Sequence, residues 1–214
     1  MIIRHWMTPS PKTIKPNSLV VEAEKIMYEE DIRGLPVVEE GNRLVGIVTL
    51  NTLRKVMPSP ATTLSEHEAH YLLAKLTVGE VMTKKVITCT PDMPVEEAAL
   101  LMNRHKISHL PVVEEENRLV GIITDTDILR LFVQIIGVEE GTCRVMITDI
   151  PISAGEVEKI TRIFTKYGPI ICSMVSLIKD DKRTLLFRIK SDKGGMCANL
   201  KSELISKGYK VKEA

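Results

Sequence analysis

The chain has 214 residues, 44% hydrophobic and 27% charged, near globular averages, which excludes a disordered chain and predicts one large domain or two to three small ones. Twenty-nine basic against 28 acidic residues leave a net charge of +1, and aromatics reach only 4%, so neither a nucleic-acid-attracting field nor a base-stacking surface is expected. No apolar run approaches the roughly 18 residues that cross a bilayer, and Met1-Ile-Ile-Arg-His-Trp-Met-Thr-Pro9 lacks the apolar core and cleavage site of a secretory leader, so no membrane partner and a cytoplasmic location are expected.

Read in chain order, Met7-Thr8 precedes a short β-rich stretch at Thr13-Ile14, a proline at Pro16 and an amphipathic helix. Two apolar runs follow, Leu35-Pro-Val-Val38 and Leu44-Val-Gly-Ile-Val48, separated by Glu-Glu-Gly-Asn-Arg, which is hairpin chemistry. A second helix is expected after Thr49. Residues 58–75 read as a connecting segment with a helix from about Ser65, which is its candidate N-cap. His67 and His70 could share a face of that helix, but without a third ligand no metal site is expected.

The pattern then returns with a register of 75 residues. Met82-Thr83 repeats Met7-Thr8, and Leu110-Pro-Val-Val-Glu-Glu-Glu-Asn-Arg-Leu-Val-Gly-Ile-Ile-Thr124 repeats residues 35–49 almost unchanged. In the second copy the β-rich stretch is Val86-Ile87-Thr88. The first helix carries Val95, Ala98, Ala99 and Met102, and the second helix runs through Asp127-Ile-Leu-Arg-Leu-Phe-Val-Gln-Ile-Ile136. Residues 1–57 and 76–136 are therefore two copies of one strand–helix–strand–strand–helix unit. Each is too small to bury much alone, so sheet-against-sheet pairing is expected.

After Gly141 the repeat stops. A strand from Cys143 to Ile147, a helix with Val157, Ile160, Ile163 and Phe164 on one face, strands at Ile170–Ile178 and Thr184–Ile189, a helix carrying Cys197, Leu200, Leu204 and Ile205, and a strand at Tyr209-Lys-Val-Lys212 give the order βαββαβ. The expected fold class is α/β (α+β): a tandem-repeat module with sheet–helix packing and a ferredoxin-like domain at residues 142–214. Cys89, Cys143, Cys172 and Cys197 have no paired spacing and are expected to be reduced, buried small residues.

Met-Thr at the start and Leu-Pro-Val-Val in the middle of each unit, with Gly-Ile-Ile-Thr-x-x-Asp at the end of the second, resemble the cystathionine-β-synthase (CBS) domain, which occurs as tandem pairs forming a disc-like module. The resemblance implies an adenine nucleotide (AMP, ADP, ATP) or S-adenosylmethionine bound between the repeats as a regulatory ligand, a sensor role, an unidentified regulated protein and a homodimer. The third unit resembles an ACT domain, which implies an amino-acid site at Asp149, Pro151 and Gly155. Here Ile152-Ser153-Ala154 separate the proline from the glycine that usually follows it. The whole order resembles the acetoin-utilisation AcuB-like proteins, implying a link to acetoin or acetate metabolism.

The turn Thr124-Asp-Thr-Asp127 leads from a strand into a helix, where free N–H groups and the macrodipole suit a phosphate. Thr124 is a candidate phosphate donor and Asp127 a candidate clamp on a ribose diol. The competing reading is plain helix capping. The first copy has Thr49-Leu-Asn-Thr52 there, which caps equally well but lacks the carboxylate, so the second copy is the expected site. Its phosphate needs basic neighbours. Lys84, Lys85, Arg104, Lys106 and His109 are nearby in sequence, and His109 immediately precedes Leu110-Pro111, where the family often has a basic contact. Thr83, Val86 and Ile87 would supply adenine walls, completing the set Thr83, Lys84, Val86, Ile87, His109, Pro111, Thr124 and Asp127. A second site would use Thr8, Arg33, Pro36 and Thr49, although the register partner of His109 is Gly34, not Arg33. No nucleophile–base pair, P-loop or metal cluster marks an enzyme, and Cys89 has no base partner. The alternative to a nucleotide sensor is an interaction scaffold with the amino-acid site in its third unit.

Overall fold

Residues 1–56, 75–138, 141–191 and 194–212 are described by a computed structural model, which divides into Met1–Leu129 and Arg130–Ala214. The expected connecting helix at 58–75, with Ser65, His67 and His70, lies outside the described residues apart from Lys75, which sits in a turn.

In the first unit β1 (Thr8–Pro9), α1 (Val20–Glu29), β2 (Gly34–Val38), β3 (Leu44–Thr49) and α2 (Leu50–Val56) are followed by α3 (Val78–Val81), α4 (Val95–His105), β4 (His109–Val113), β5 (Leu119–Thr124) and α5 (Asp125–Ile136). Helix α1 forms because Val20, Ala23 and Met27 fall on one buried face, and the Glu22 carboxylate accepts from the Leu19 N–H at 3.2 Å. Helix α4 buries Val95, Ala98 and Met102 in the same register. The hairpins β2–β3 and β4–β5 pair as their sequences predict, each turning through a 3-10 segment.

The two hairpins also meet each other. Asn42 and Asn117 adopt left-handed backbone, φ 61° and 60°, a conformation asparagine tolerates best among non-glycine residues. Each donates its side-chain amide to a carbonyl of the other repeat, Asn42 to Leu119 and Asn117 to Leu44, both at 2.6 Å. Replacing both by alanine loses two hydrogen bonds, about 0.5–1.5 kcal/mol each, and adds left-handed strain of about 1 kcal/mol per site. The expected outcome is a total loss of about 3–5 kcal/mol in urea unfolding, and an unchanged midpoint would show that the cross-repeat bonds do not contribute.

One feature differs from the tandem-unit expectation. Strand β1 does not join its own hairpin; Thr8 pairs with Ile122 and Pro9 with Gly121 of β5. The equivalent exchange brings Thr83 onto Ile47 of β3. The Ile3 N–H donates to Met93 O at 3.0 Å, and the Val78 N–H to Ser18 O at 2.8 Å. Both bonds cross between repeats at positions 75 apart. Gly121 and Gly46 permit the exchange, since Met7 and Met82 side chains occupy the space a β-carbon would need. Neither expected β-rich stretch forms a strand: Ile14 makes a single parallel bridge with Val37, and in the second copy the equivalent bridge falls just after Val86-Ile87-Thr88, from Cys89 to Val112. The chain is crossing from one sheet to the other at these points, and Val86 packs instead against Val38, Leu44 and Leu119.

The unit from Arg130 starts within α5. Within this unit Ile136 O accepts from the Ser173 hydroxyl at 2.6 Å, and Gly137 stands close to Cys172 and Arg188. Strands β6 (Thr142–Pro151), β7 (Ile170–Lys179), β8 (Lys182–Lys190) and β9 (Lys210–Lys212), with helices α6 (Glu156–Tyr167) and α7 (Met196–Ser206), realise the βαββαβ order. Sheet order β7-β8-β6-β9, antiparallel throughout, is the ferredoxin-like arrangement. Val145, Ile147, Leu185, Phe187 and Ile189 face Ile160, Phe164, Leu200 and Leu204 of the helices.

The cysteines depart from expectation. Cys143 of β6 and Cys197 of α7 form a disulfide, with Cα atoms 6.4 Å apart, because helix and strand bring together residues 54 apart in sequence. Cys172 is exposed on β7. Only Cys89 is the buried free thiol expected of all four, its pKa pushed up to about 12 by burial.

Candidate functional site

Where β3 ends and α2 begins, a cleft of about 600 Å³ opens between the repeats. Its floor is Ile47, Thr49 and the start of α2; the exchanged segment contributes Thr83, Lys85, Val86 and Ile87; and the end of α4 with the start of β4 contributes Lys106, Ile107, Ser108 and His109. Arg33 closes one side, and Arg54 and Lys55 of α2 another. Thr49 caps α2: the Thr52 N–H donates to Thr49 Oγ1 at 3.2 Å, and the two hydroxyls are 3.0 Å apart.

The strand exchange divides the expected residue set. Thr83, Val86, Ile87 and His109, assigned by sequence to the site of Thr124 and Asp127, line the cleft at Thr49 together with Arg33. Thr8, exposed on β1, lies instead on β5 beside Ile122, two residues from Thr124. Lys84 does not line the cleft, and Lys85 does. Pro36 and Pro111 are buried strand residues whose carbonyls accept from the Ile14 and Cys89 N–H groups at 3.1 Å. At Asp127 the capping interaction is present: Oδ2 accepts from the Thr124 N–H at 2.9 Å and hydroxyl at 2.7 Å, and the Asp127 N–H returns to Thr124 Oγ1 at 3.2 Å.

His109 sits where the repeats face each other. It is half-buried, its Nδ1 is 2.8 Å from Ser108 Oγ, and its ring lies 3.0 Å from where a β-carbon on Gly34 would stand. Gly34 is its register partner, so repeat one leaves the space that repeat two fills. Burial holds the imidazole below its usual 6.5, a push Asp125 opposes, Arg33 reinforces and Asp127 opposes. In the unliganded protein this neutral-imidazole contribution to stability is complete above about pH 6.5 and is lost as the pH falls toward the lowered folded value.

Of the residues expected to take an amino acid, Asp149 is already paired within the chain. Asp149 lies at a bulge of β6 with φ 60°, paired with Lys210 at 2.9 Å and Lys182 at 3.5 Å, and its carboxyl is held below the usual range chiefly by the Lys210 hydrogen bond. Pro151 ends β6, and Gly155, φ 82°, precedes α6. Of the cations that line the cleft, Lys85 and Lys106 were named from sequence among the basic neighbours of the second copy, whereas Arg54 and Lys55 were not. Arg54 and Lys55 reach the cleft only through the fold of α2.

A family model for the CBS domain matches residues 3–59 and 78–134. L-aspartate semialdehyde sulfurtransferase of Methanocaldococcus jannaschii is 35% identical over 131 residues, 61% of this chain but 23% of that protein; the chain thus spans about a quarter of that curated relative's length. A CBS domain pair solved in complex with 5′-methylthioadenosine and S-adenosyl-L-methionine is 35% identical, with TM-score 0.52, over 62% of this chain and 95% of that one. A protein assigned to acetoin utilization (AcuB) from Vibrio cholerae is 31% identical, with TM-score 0.53, over 62% and 90% of the two chains. A further structure, a complex with AMP, is 29% identical, with TM-score 0.52, over 63% and 97%. Among the described residues no helix is long and apolar enough to cross a membrane.

Proposed function

Because the chain belongs to the CBS-domain family, we propose that its paired repeats form a non-catalytic regulatory module that takes an adenosyl ligand in the cleft at Thr49, Thr83, Val86, Ile87 and His109. The observation that carries this reading is the cleft itself: apolar walls at Ile47, Val86 and Ile87 suit a purine, and hydroxyls at Thr49, Thr52 and Thr83 with flanking cations suit ribose and phosphate. Related CBS pairs solved with S-adenosylmethionine, methylthioadenosine and AMP support the ligand class. Occupancy acts on a partner, or on the C-terminal unit, only through a difference in affinity between two conformations. The likeness to an acetoin utilization protein supports a place in acetoin or acetate metabolism. The alternative, an amino acid at Asp149, Pro151 and Gly155 of an ACT-like unit, has less support because two lysines already neutralise Asp149.

Calorimetric titration of AMP tests the reading. The wild type is expected to bind, Ile87→Glu to lose binding while keeping its circular dichroism, and Asp127→Ala to retain it. Absence of AMP, ADP, ATP and S-adenosylmethionine binding to the wild type would overturn the reading. A bound phosphate beside His109 raises the imidazole pKa from its lowered value, so binding takes up a proton. Affinity for AMP is therefore expected to rise as the pH falls from 7.5 to 6, and His109→Gln is expected to remove that excess slope.

Self-association belongs to the same proposal. Strand β7 is a 10-residue edge whose Ile170, Met174, Leu177 and Ile178 are exposed, with no charge before Lys179, while the opposite edge β9 has three residues including two lysines. The sequence of β7 is nearly symmetric about Met174, setting Ile170 against Ile178 and Ile171 against Leu177 in an antiparallel pair with a second copy. Met174→Lys with Leu177→Lys is expected to halve the mass seen by light scattering; an unchanged mass places the interface elsewhere.

A further inference from the structure

The cleft at Thr49 gathers five cations, Arg33, Arg54, Lys55, Lys85 and Lys106, and among the described residues no carboxylate lines it. Among the described residues none of the five forms an ion pair. In a chain of net charge +1 this local excess is not a spill-over from a basic protein. Unpaired like charges facing one cavity raise its free energy when it is empty, and an anion relieves that repulsion.

The duplication supplies an internal control. At positions 75 away, Lys106 is answered by Asp31, Arg54 by Leu129, Lys85 by Ser10 and Arg33 by Ser108. Leu50 and Thr52 are answered by Asp125 and Asp127, and only Lys55 keeps a basic counterpart, Arg130. The two copies have diverged in charge: three of the five basic positions around Thr49 have neutral counterparts and one an acidic counterpart, Asp31, while Asp125 and Asp127 stand where the first copy is neutral. Capping explains Asp127 and Thr52 alike, so it does not account for the cations. A single phosphate needs one or two of them.

We infer that the cleft at Thr49 selects its ligand by phosphate charge, preferring an adenosine di- or triphosphate to the monophosphate and discriminating against the sulfonium of S-adenosylmethionine, with one such site per chain. This rests on the adenosyl reading above. The apolar wall holds the base and Thr83 and Thr49 the ribose side. Arg54, Lys55 and Lys85 take the outer phosphates, while His109 and Arg33 lie nearer the repeat interface.

The test is calorimetric titration of the full chain, in EDTA and at two salt concentrations, with adenosine, AMP, ADP, ATP, S-adenosylmethionine and inorganic tripolyphosphate. ATP is expected to bind at least tenfold tighter than AMP, with a stoichiometry of one and a steep loss of affinity with salt, and S-adenosylmethionine at least tenfold weaker than AMP. Arg54→Gln with Lys85→Gln, both exposed positions that leave the core untouched, is expected to bring the ATP-to-AMP ratio within about threefold of unity while AMP affinity stays within about threefold. Equal affinity for AMP and ATP, a ratio indifferent to the double substitution, or two ATP per chain would overturn the inference and leave the adenosyl reading standing. Tripolyphosphate binding lost in the double variant, with no adenosyl compound bound, would overturn the adenosyl reading and retain the polyanion site. Binding by none of the probes would overturn both.

Discussion

Phe187→Ala is expected to remove about 3–5 kcal/mol from the C-terminal unit, enough to unfold a domain of its size near physiological temperature. Phe187 is fully buried at the centre of β8, between the β6 and β7 strands, and its ring centroid lies 4.4 Å from that of Phe164 on α6. Truncation deletes a large apolar transfer and leaves a cavity lined by sheet and helix residues that backbone hydrogen bonding holds apart. Hydrogen exchange reads the effect locally. Amides of β6, β7 and β8 are expected to lose protection by several orders of magnitude while those of β2 to β5 keep theirs, since the two units have separate cores. Equal loss of protection in both units would mean that they unfold as one.

Gly34→Leu is the second substitution with a large expected effect, and it acts on the site. A β-carbon at Gly34 would stand 3.0 Å from the His109 ring, and the strand is buried, so a leucine has no direction in which to escape. The ring must leave its place, at a cost of about 1–3 kcal/mol in stability. Its departure is also expected to lower AMP affinity by more than tenfold. The control Gly34→Ala adds one methyl group and is expected to shift the ring slightly, with a loss of affinity no greater than about threefold. If leucine leaves AMP affinity unchanged, His109 has no part in holding the ligand.

Both predictions depend on relations that differ in how far the sequence reveals them. The βαββαβ order of residues 142–212 and the hairpins at 34–49 and 109–124 follow from apolar periodicity and turn residues, which are local properties. The capping role of Thr124 and Asp127 was equally legible, because a capping box spans three residues. The site residues were not. Thr83 and Thr124 sit in one copy of the repeat and were grouped for that reason, yet Thr83 pairs with Ile47 and Thr8 with Ile122. Exchange between duplicated units leaves no mark on periodicity, since either partner strand offers the same apolar pattern and the same glycine.

By itself, then, the sequence determined that the chain is built from a repeated unit and a third unit of different order, which residues face each core, and that His109 has only a glycine as its counterpart. The tertiary structure alone decided which copy completes which sheet, that Cys143 meets Cys197, and that Arg33, Arg54, Lys55, Lys85 and Lys106 converge on one cavity. The physical reason is range. Periodicity and capping act over a few residues, whereas charge repulsion, disulfide geometry and strand exchange act between atoms that only the folded chain brings close.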